Sequence, residues 1–401
     1  INALLLSVTL LVGVAQSARK RGGQSAAVKA NEKSLRLAVE DLTKTFPKRY
    51  PSKYLTRLNS KEAISDLQAF QREALLANPL LDDMKILAVK RNYGKGARRE
   101  TKTVTPSIGA YSLAEVNPAA PECELIVISD IRQTPKISSL YKPKTTSAIT
   151  EIDLNFDADK IMYTGVGSNG RWHIHEVAAN GKYLRQLTPK DAEYHSFDSC
   201  YLPDGKVIFT STAPIQGLPC EYGKRAMANI YVLDPKTSKI RRLTFEQDSN
   251  WGPSIMENGR VIYVRWEYSD TPHVFTRVVM TMNPDGTNQT HHYGSNSYWP
   301  TATHNPKQVP GKPSQFVGIV SGHHGQRPGP MVLFDVAVGR HEADGALQLF
   351  PGYAQKVKPV IVDGLYNGRY PKFLTPYPLG TSNKDGAGRY YLASVKPTGN
   401  S

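Results

Sequence analysis

Three short stretches gather the side chains best suited to chemistry. Gly322-His323-His324-Gly325 directly follows an apolar run that ends at Ser321, and Arg340-His341-Glu342-Ala343-Asp344-Gly345 comes soon after. A neutral imidazole offers a lone pair to a metal, and adjacent carboxylates add hard oxygen donors. His323, His324 and His341 are therefore candidate metal ligands, and Glu342 and Asp344 candidate lining of the same site. The same residues read equally as hydrogen-bonded loop side chains, because their spacing fits no zinc signature: there is no HExxH and no CxxC. The third stretch is Trp266-Glu267-Tyr268-Ser269-Asp270-Thr271-Pro272-His273. Glu267, Asp270 and His273 could act as acid, base or ligand, although Asp270-Thr271-Pro272 is also an ordinary turn. Gly165 to Gly170 fits GxGxxG, but a dinucleotide site needs a helix next, and Arg171-Trp172-His173-Ile174-His175 reads as a strand. A hairpin loop is expected there. No Ser-His-Asp order, phosphate loop or paired-carboxylate motif stands out.

Positioning these loops falls to a repeated grammar of short strands. From Arg241 to Pro300, runs rich in Val, Ile, Tyr and Trp alternate with Asn258-Gly259 and Asp285-Gly286, whose residues adopt the positive φ that tight hairpins require. An earlier copy lies at Leu187 to Asp234. Leu187-Thr188 matches Leu243-Thr244, Pro203-Asp204-Gly205 matches Glu257-Asn258-Gly259, and Lys206 to Ser211 matches Arg260 to Arg265. A repeat of roughly 50 residues with about four strands is the mark of a propeller blade. The expected fold is an all-β propeller of the six-bladed type, with between four and six blades legible, and incomplete if the chain is a fragment. Its loops would bring the histidines to one axial mouth.

Helical signals precede the strands. Ala27 to Phe46 has an imperfect apolar stripe. Asn59 to Asn78 is better phased, with Asn59 and Glu62 forming a capping-box-like start and Asn78-Pro79 a stop. Ala3 to Val14 followed by Ala15-Gln16-Ser17 has the form of a secretory signal without its basic start. The expected domains are a leader remnant at 1–17, a helical arm at 18–83 and a propeller at 84–401. No other segment is apolar enough to span a bilayer. The net charge of +15 is scattered over small clusters such as Lys356 to Lys358, which points to solvated surface rather than nucleic-acid binding. If the chain is exported, Cys200 and Cys220 are disulfide candidates and Cys123 is left over; reduced, buried thiols are the alternative.

Several strings taken together carry a family resemblance. They are Glu73 to Leu81, Tyr201 to Gly205, Leu243 to Asp248, Arg265 to Tyr268 with His273, Met282 to Thr287, Tyr293 to Pro300, Ser321 to Gly325, Gly339 to Gly345 and Pro371 to Leu379. In this order they resemble the hydrazine synthase alpha-subunit-like family of exported bacterial proteins, while the blade grammar is also similar to TolB-type propellers. The resemblance implies a periplasmic or secreted propeller. It also implies an oxidoreductase setting, in which a c-type haem domain or partner subunit cooperates with the propeller. This sequence has no Cys-x-x-Cys-His, so either a haem segment lies beyond Ser401 or this member lacks it. The other reading that the residues leave open is a non-catalytic TolB-like propeller that binds or scaffolds a protein or glycan.

Overall fold

The computed structural model describes residues 32–60, 64–92, 122–144, 148–219, 222–267, 277–323, 327–351, 356–380 and 386–397. The expected leader, His324, Asp270, His273 and Cys220 lie outside these residues.

The chain is mostly β, with a helical segment at the N-terminal end. The first sheet contains β1 (Ile86–Asn92), β2 (Glu122–Ser129) and β3 (Lys136–Tyr141). A second holds β4 (Ile149–Leu154), β5 (Lys160–Val166), β6 (Trp172–Ala178) and β7 (Arg185–Gln186). A third holds β8 (Ser196–Tyr201), β9 (Val207–Ser211), β10 (Asn229–Asp234) and β11 (Lys239–Arg242). Two further antiparallel meanders follow. One is β12 (Asn250–Ile255), β13 (Val261–Trp266), β14 (Arg277–Met282) and β15 (Thr290–Tyr293). The other is β16 (Ala302–Val309), β17 (Lys312–Ser321), β18 (Met331–Asp335) and β19 (Ala346–Phe350). A single parallel bridge, Arg277 to Ala302, joins these two into one eight-stranded sheet. The hairpin β20 (Lys372–Pro378) and β21 (Tyr391–Lys396) closes the order.

The turn residues explain the registers. Leu202 N–H bonds Lys206 O at 2.8 Å across Asp204-Gly205, and Met256 N–H bonds Arg260 O at 2.8 Å across Asn258-Gly259. Gly205 and Gly259 sit at φ of 83° and 80°, a left-handed conformation that a side chain would strain. Each sheet then packs on the next through buried apolar faces. Cys123 and Leu125 meet Ile161 and Tyr163 between the first two sheets. Ile208 and Ile230 meet Tyr263 and Met280 further along, and Val317 and Ile319 meet Phe373 and Tyr391 at the end. The first strands β4, β8, β12, β16 and β20 lie side by side in that order, and β1 contacts β4. Consecutive meanders stacked this way make a β-propeller-like scaffold. Its sheets have three, four, four, eight and two strands, so they do not resolve into six equal blades.

Two helical expectations change. α1 (Glu32–Thr45) buries Leu35, Ala38, Val39 and Leu42, one stripe of its surface. Asn59 does not start a helix; it is the last residue of α2 (Lys53–Asn59). The next helix, α3 (Leu67–Leu76), begins after Asp66, whose carboxylate accepts the Ala69 N–H at 2.9 Å. Asp66 supplies both the cap and a negative charge at the positive end of the helix. Asn78 instead caps the 3-10 turn Pro79–Leu81. The helices pack on Ile126 and Ile128 of β2 and on Leu379 and Tyr390 of the final hairpin. Tyr390 Oη donates to Asp41 at 2.7 Å, and Arg389 pairs with the same carboxylate. The helical segment thus bridges the first and last sheets instead of projecting from them.

Candidate functional site

The first strands share a local irregularity that shapes the centre of the molecule. Each of β4, β8, β12, β16 and β20 carries a bulge, at Thr150/Ile152, Phe197/Cys200, Trp251/Ser254, His304/Lys307 and Leu374/Tyr377. In each bulge one residue has positive φ: Glu151, Asp198, Gly252, Asn305 and Thr375. Proline follows in three of the five, Pro253, Pro306 and Pro376, where the bulge leaves no ladder bond for an N–H to make. The bulge re-aims side chains at the same level of five neighbouring strands.

Two of those residues are acids on adjacent strands. Arg327, in the loop between β17 and β18, reaches both: Nη1 lies 3.8 Å from Glu151 Oε1 and Nη2 lies 4.0 Å from Asp198 Oδ2. Asp198 also accepts the Gly252 N–H at 3.2 Å, and Thr150 Oγ1 donates to Glu151 at 2.5 Å. Burial, and then the neighbouring Asp198 charge, push the Glu151 carboxyl up to about 7, against the pull of Arg327, Thr150 and Arg91. Burial raises Asp198 too, opposed by Arg327 and the Gly252 N–H. The Glu151 side chain keeps 15% of its surface exposed, enough for proton exchange. Two carboxyls under one guanidinium can hold a proton near neutral pH, and can present an acceptor and a donor together.

Aromatic and basic groups surround the pair. The rings of Trp251 and Trp266 stack with centroids 6.3 Å apart, and the buried Arg277 guanidinium flanks both, 5.5 and 5.2 Å from their centroids. His323 lies against Trp266, with ring centroids 5.2 Å apart. His304 Nε2 is 3.1 Å from Ser321 Oγ. Burial, with Arg327 and Arg277 nearby, drives the His304 pKa well below the usual range and keeps it neutral. Both partners are buried inside strands, so this hydroxyl cannot reach a substrate as a nucleophile would. Further along the same strands, Asp153 accepts the Tyr201 N–H at 3.0 Å and Lys307 Nζ donates to Ser254 at 3.4 Å.

Among the described residues, His323 and His341 are not brought together. His323 sits just past the Ser321 end of β17, whereas His341 is exposed in the loop between β18 and β19. Those two loops leave opposite ends of β18, and five strand residues span about 13 Å. Glu342 is occupied, accepting the Tyr298 and Trp299 N–H groups at 2.9 and 3.1 Å, and Asp344 is exposed on that far loop. Glu267 lies on the same side as His323 but is engaged by Arg265 and His291 at 2.5 and 2.9 Å. Burial pushes its carboxyl up, but these two bonds outweigh it and hold it down to about 2. Among the described residues no three His, Cys, Asp or Glu side chains gather closely enough to hold a metal ion. Cys200 is a free, buried thiol. It lies near the hairpin end of β8, and its expected partner Cys220 is outside the described residues. Gly165 to Gly170 is a hairpin loop between β5 and β6, closed by Gly167 N–H to Arg171 O at 2.9 Å. Sequence reasoning missed Glu151, Asp198 and Arg327, because they are far apart in the chain and only the stacking of sheets unites them. The recurring Gly-Pro, Asn-Pro and Thr-Pro pairs, one in each of three first strands, were the available signal.

The fold is a β-propeller-like scaffold with a largely buried cluster of charged residues at the bulges of its first strands. No family model matches the chain, and no curated protein matches it by sequence. Among solved structures it is similar to hydrazine synthase of Kuenenia stuttgartiensis, at 14% identity and a TM-score of 0.52, over 74% of this chain and 41% of that one. The chain therefore spans less than half the length of that relative. It is also similar to a putative TolB of Agrobacterium tumefaciens, at 16% identity and a TM-score of 0.40, over 56% of this chain and 76% of that one. A TolB of Acinetobacter baumannii matches at 14% identity and a TM-score of 0.36, over 53% of this chain and 49% of that one. At these identities the likeness concerns the fold. Among the described residues, no helix is long and apolar enough to cross a membrane.

Proposed function

We propose that the chain is a non-catalytic, TolB-like propeller of the six-bladed type that works outside the cytoplasm and binds a protein or glycan partner at its axial mouth. A leader at 1–17, helices at 18–83 and a propeller at 84–401 fit that role. The observation that carries the reading is the convergence of Glu151, Asp198 and Arg327 at the bulged level of the first strands. Fixed charges with polar and aromatic neighbours recognise a ligand by hydrogen bonds and ring contact. Around this cluster the hydroxyl beside a carboxylate, Thr150 on Glu151, is buried, which favours binding over covalent catalysis. The redox-subunit reading shares the fold but relies on a haem attached outside this sequence.

The test is biolayer interferometry of the purified protein against glycan and peptide panels, repeated with Glu151→Gln and Arg327→Ala. The expected result is a ligand whose binding weakens about tenfold in both variants, the loss of one charge-assisted hydrogen bond. Binders indifferent to both changes would refute the site. Consumption of nitric oxide with ammonium by the intact protein would favour the redox subunit instead.

A further inference from the structure

A second site lies on the face away from the mouth, in a groove between the β12–β15 and β16–β19 meanders. It has a volume of about 410 Å³ and is walled by Met256, Pro313 and Val336, with Arg260, His292 and Arg340 on its polar side. We propose that this groove binds a small organic carboxylate, with its apolar body against Met256, Pro313 and Val336 and its carboxylate facing Arg340 and His292.

Three features support the assignment independently of the axial mouth. First, among the described residues no carboxylate lines the groove, so its positive charge is not neutralised from within. Second, His292 Nε2 is buried and has no hydrogen-bond partner among the described residues. Such a group normally finds a partner, and leaving it unmet is costly. The ring itself is fixed against Phe316, with centroids 5.4 Å apart. Third, the two arginines differ in freedom. Arg260, at the start of β13, is tied to Asn283 Oδ1, Thr281 Oγ1 and Asn288 O at 2.8, 3.1 and 2.9 Å. Arg340 is exposed on the β18–β19 loop, and among the described residues its carbonyl is engaged, by Gly294 N–H at 2.9 Å, while no bond to its guanidinium is seen. A fixed cation, a reachable cation and an unmet imidazole nitrogen beside apolar walls match an anion carrying an apolar body.

The arginines and burial also set the protonation of His292. Burial first, then Arg340 and Arg260, lower its pKa to about 4. These are the charged groups that face it from β13 and from the β18–β19 loop. A bound anion offsets both arginines, so the imidazole gains a proton more readily and binding tightens as pH falls.

The experiment follows the His292 ring by NMR through a pH titration of the full chain, with His292→Gln to assign the signal. Benzoate is the probe; benzyl alcohol and inorganic phosphate are the comparators. Benzoate is expected to move the His292 titration upward from about 4 into the range above about pH 5, where the fold holds and benzoate stays ionised. Arg340→Gln, an exposed change that leaves the melting temperature in place, should weaken benzoate about tenfold. Benzyl alcohol and phosphate should each bind at least about tenfold more weakly than benzoate. Equal binding of benzyl alcohol would overturn the need for an anion, and equal binding of phosphate would overturn the organic body. A His292 signal unmoved by millimolar benzoate would remove the site.

Discussion

Replacing Glu151 with Gln should stabilise the protein at alkaline pH and leave it nearly unchanged in mild acid. The carboxyl titrates at about 7 in the folded chain, against 4.5 ordinarily, because it is buried beside Asp198. That displacement corresponds to about 3 kcal/mol. Its sign is set by which state ionises first. Below 4.5 both states hold the proton and nothing is lost. As pH rises from 4.5 to about 7, the unfolded chain gives up its proton while the folded one retains it, so stability falls. Above 7 the full cost remains. Glutamine keeps the shape and cannot ionise. The gain of Glu151→Gln over wild type should therefore climb from near zero at pH 4.5 to about 2–3 kcal/mol at pH 8. Asp198, relieved of its neighbour's charge, ionises more easily and adds to the same trend. Urea unfolding of both proteins at pH 5, 6, 7 and 8 measures the difference directly, and subtraction removes every group the two proteins share. A difference that stays flat across this range, or a variant that becomes less stable than wild type as pH rises, refutes the buried-acid account.

Other outcomes follow from the same structure. Leu42→Ala, in the fully buried face of α1, should cost about 2–5 kcal/mol. It should also speed hydrogen exchange at Leu379 and Tyr390, since those residues share its cluster; unchanged exchange there would disconnect the helices from the final hairpin. Gly252→Val should cost about 1–3 kcal/mol by forcing a branched residue to a φ of 58°, while Asn305→Gly should be nearly neutral, both read from urea midpoints. His173, His175 and His195 are held down to about 4, chiefly by burial. Their contribution is complete above the ordinary 6.5 and is lost as pH falls through 4, so circular dichroism should show cooperative acid unfolding in that window.

Much of the scaffold was readable in the chain. Asp204-Gly205, Asn258-Gly259 and Asp285-Gly286 each close a hairpin where turn chemistry places one, because a short turn ending in a glycine at positive φ is a local property. The apolar residues of α1 and α3 fall on the buried side for the same reason. The start of α3 was misplaced, since Asn59 and Asp66 are both good caps and the break after α2 decides between them. The size of each sheet was not legible either. Whether a meander stays separate or joins its neighbour rests on a contact as small as Arg277 to Ala302.

Strands, turns and helical stripes are local properties, set by φ preferences and by the period of apolar residues. Which polar residues meet depends instead on how the sheets pack. His323 and His341 are close in the chain yet leave opposite ends of β18, because antiparallel strands send successive loops to opposite edges. Glu151, Asp198 and Arg327 are distant in the chain yet meet, because packing sheet on sheet sets β4 and β8 side by side with a bulge at each acid, and the β17–β18 loop brings Arg327 to both. Buried charges of this kind carry no local signature; their partners come from other sheets.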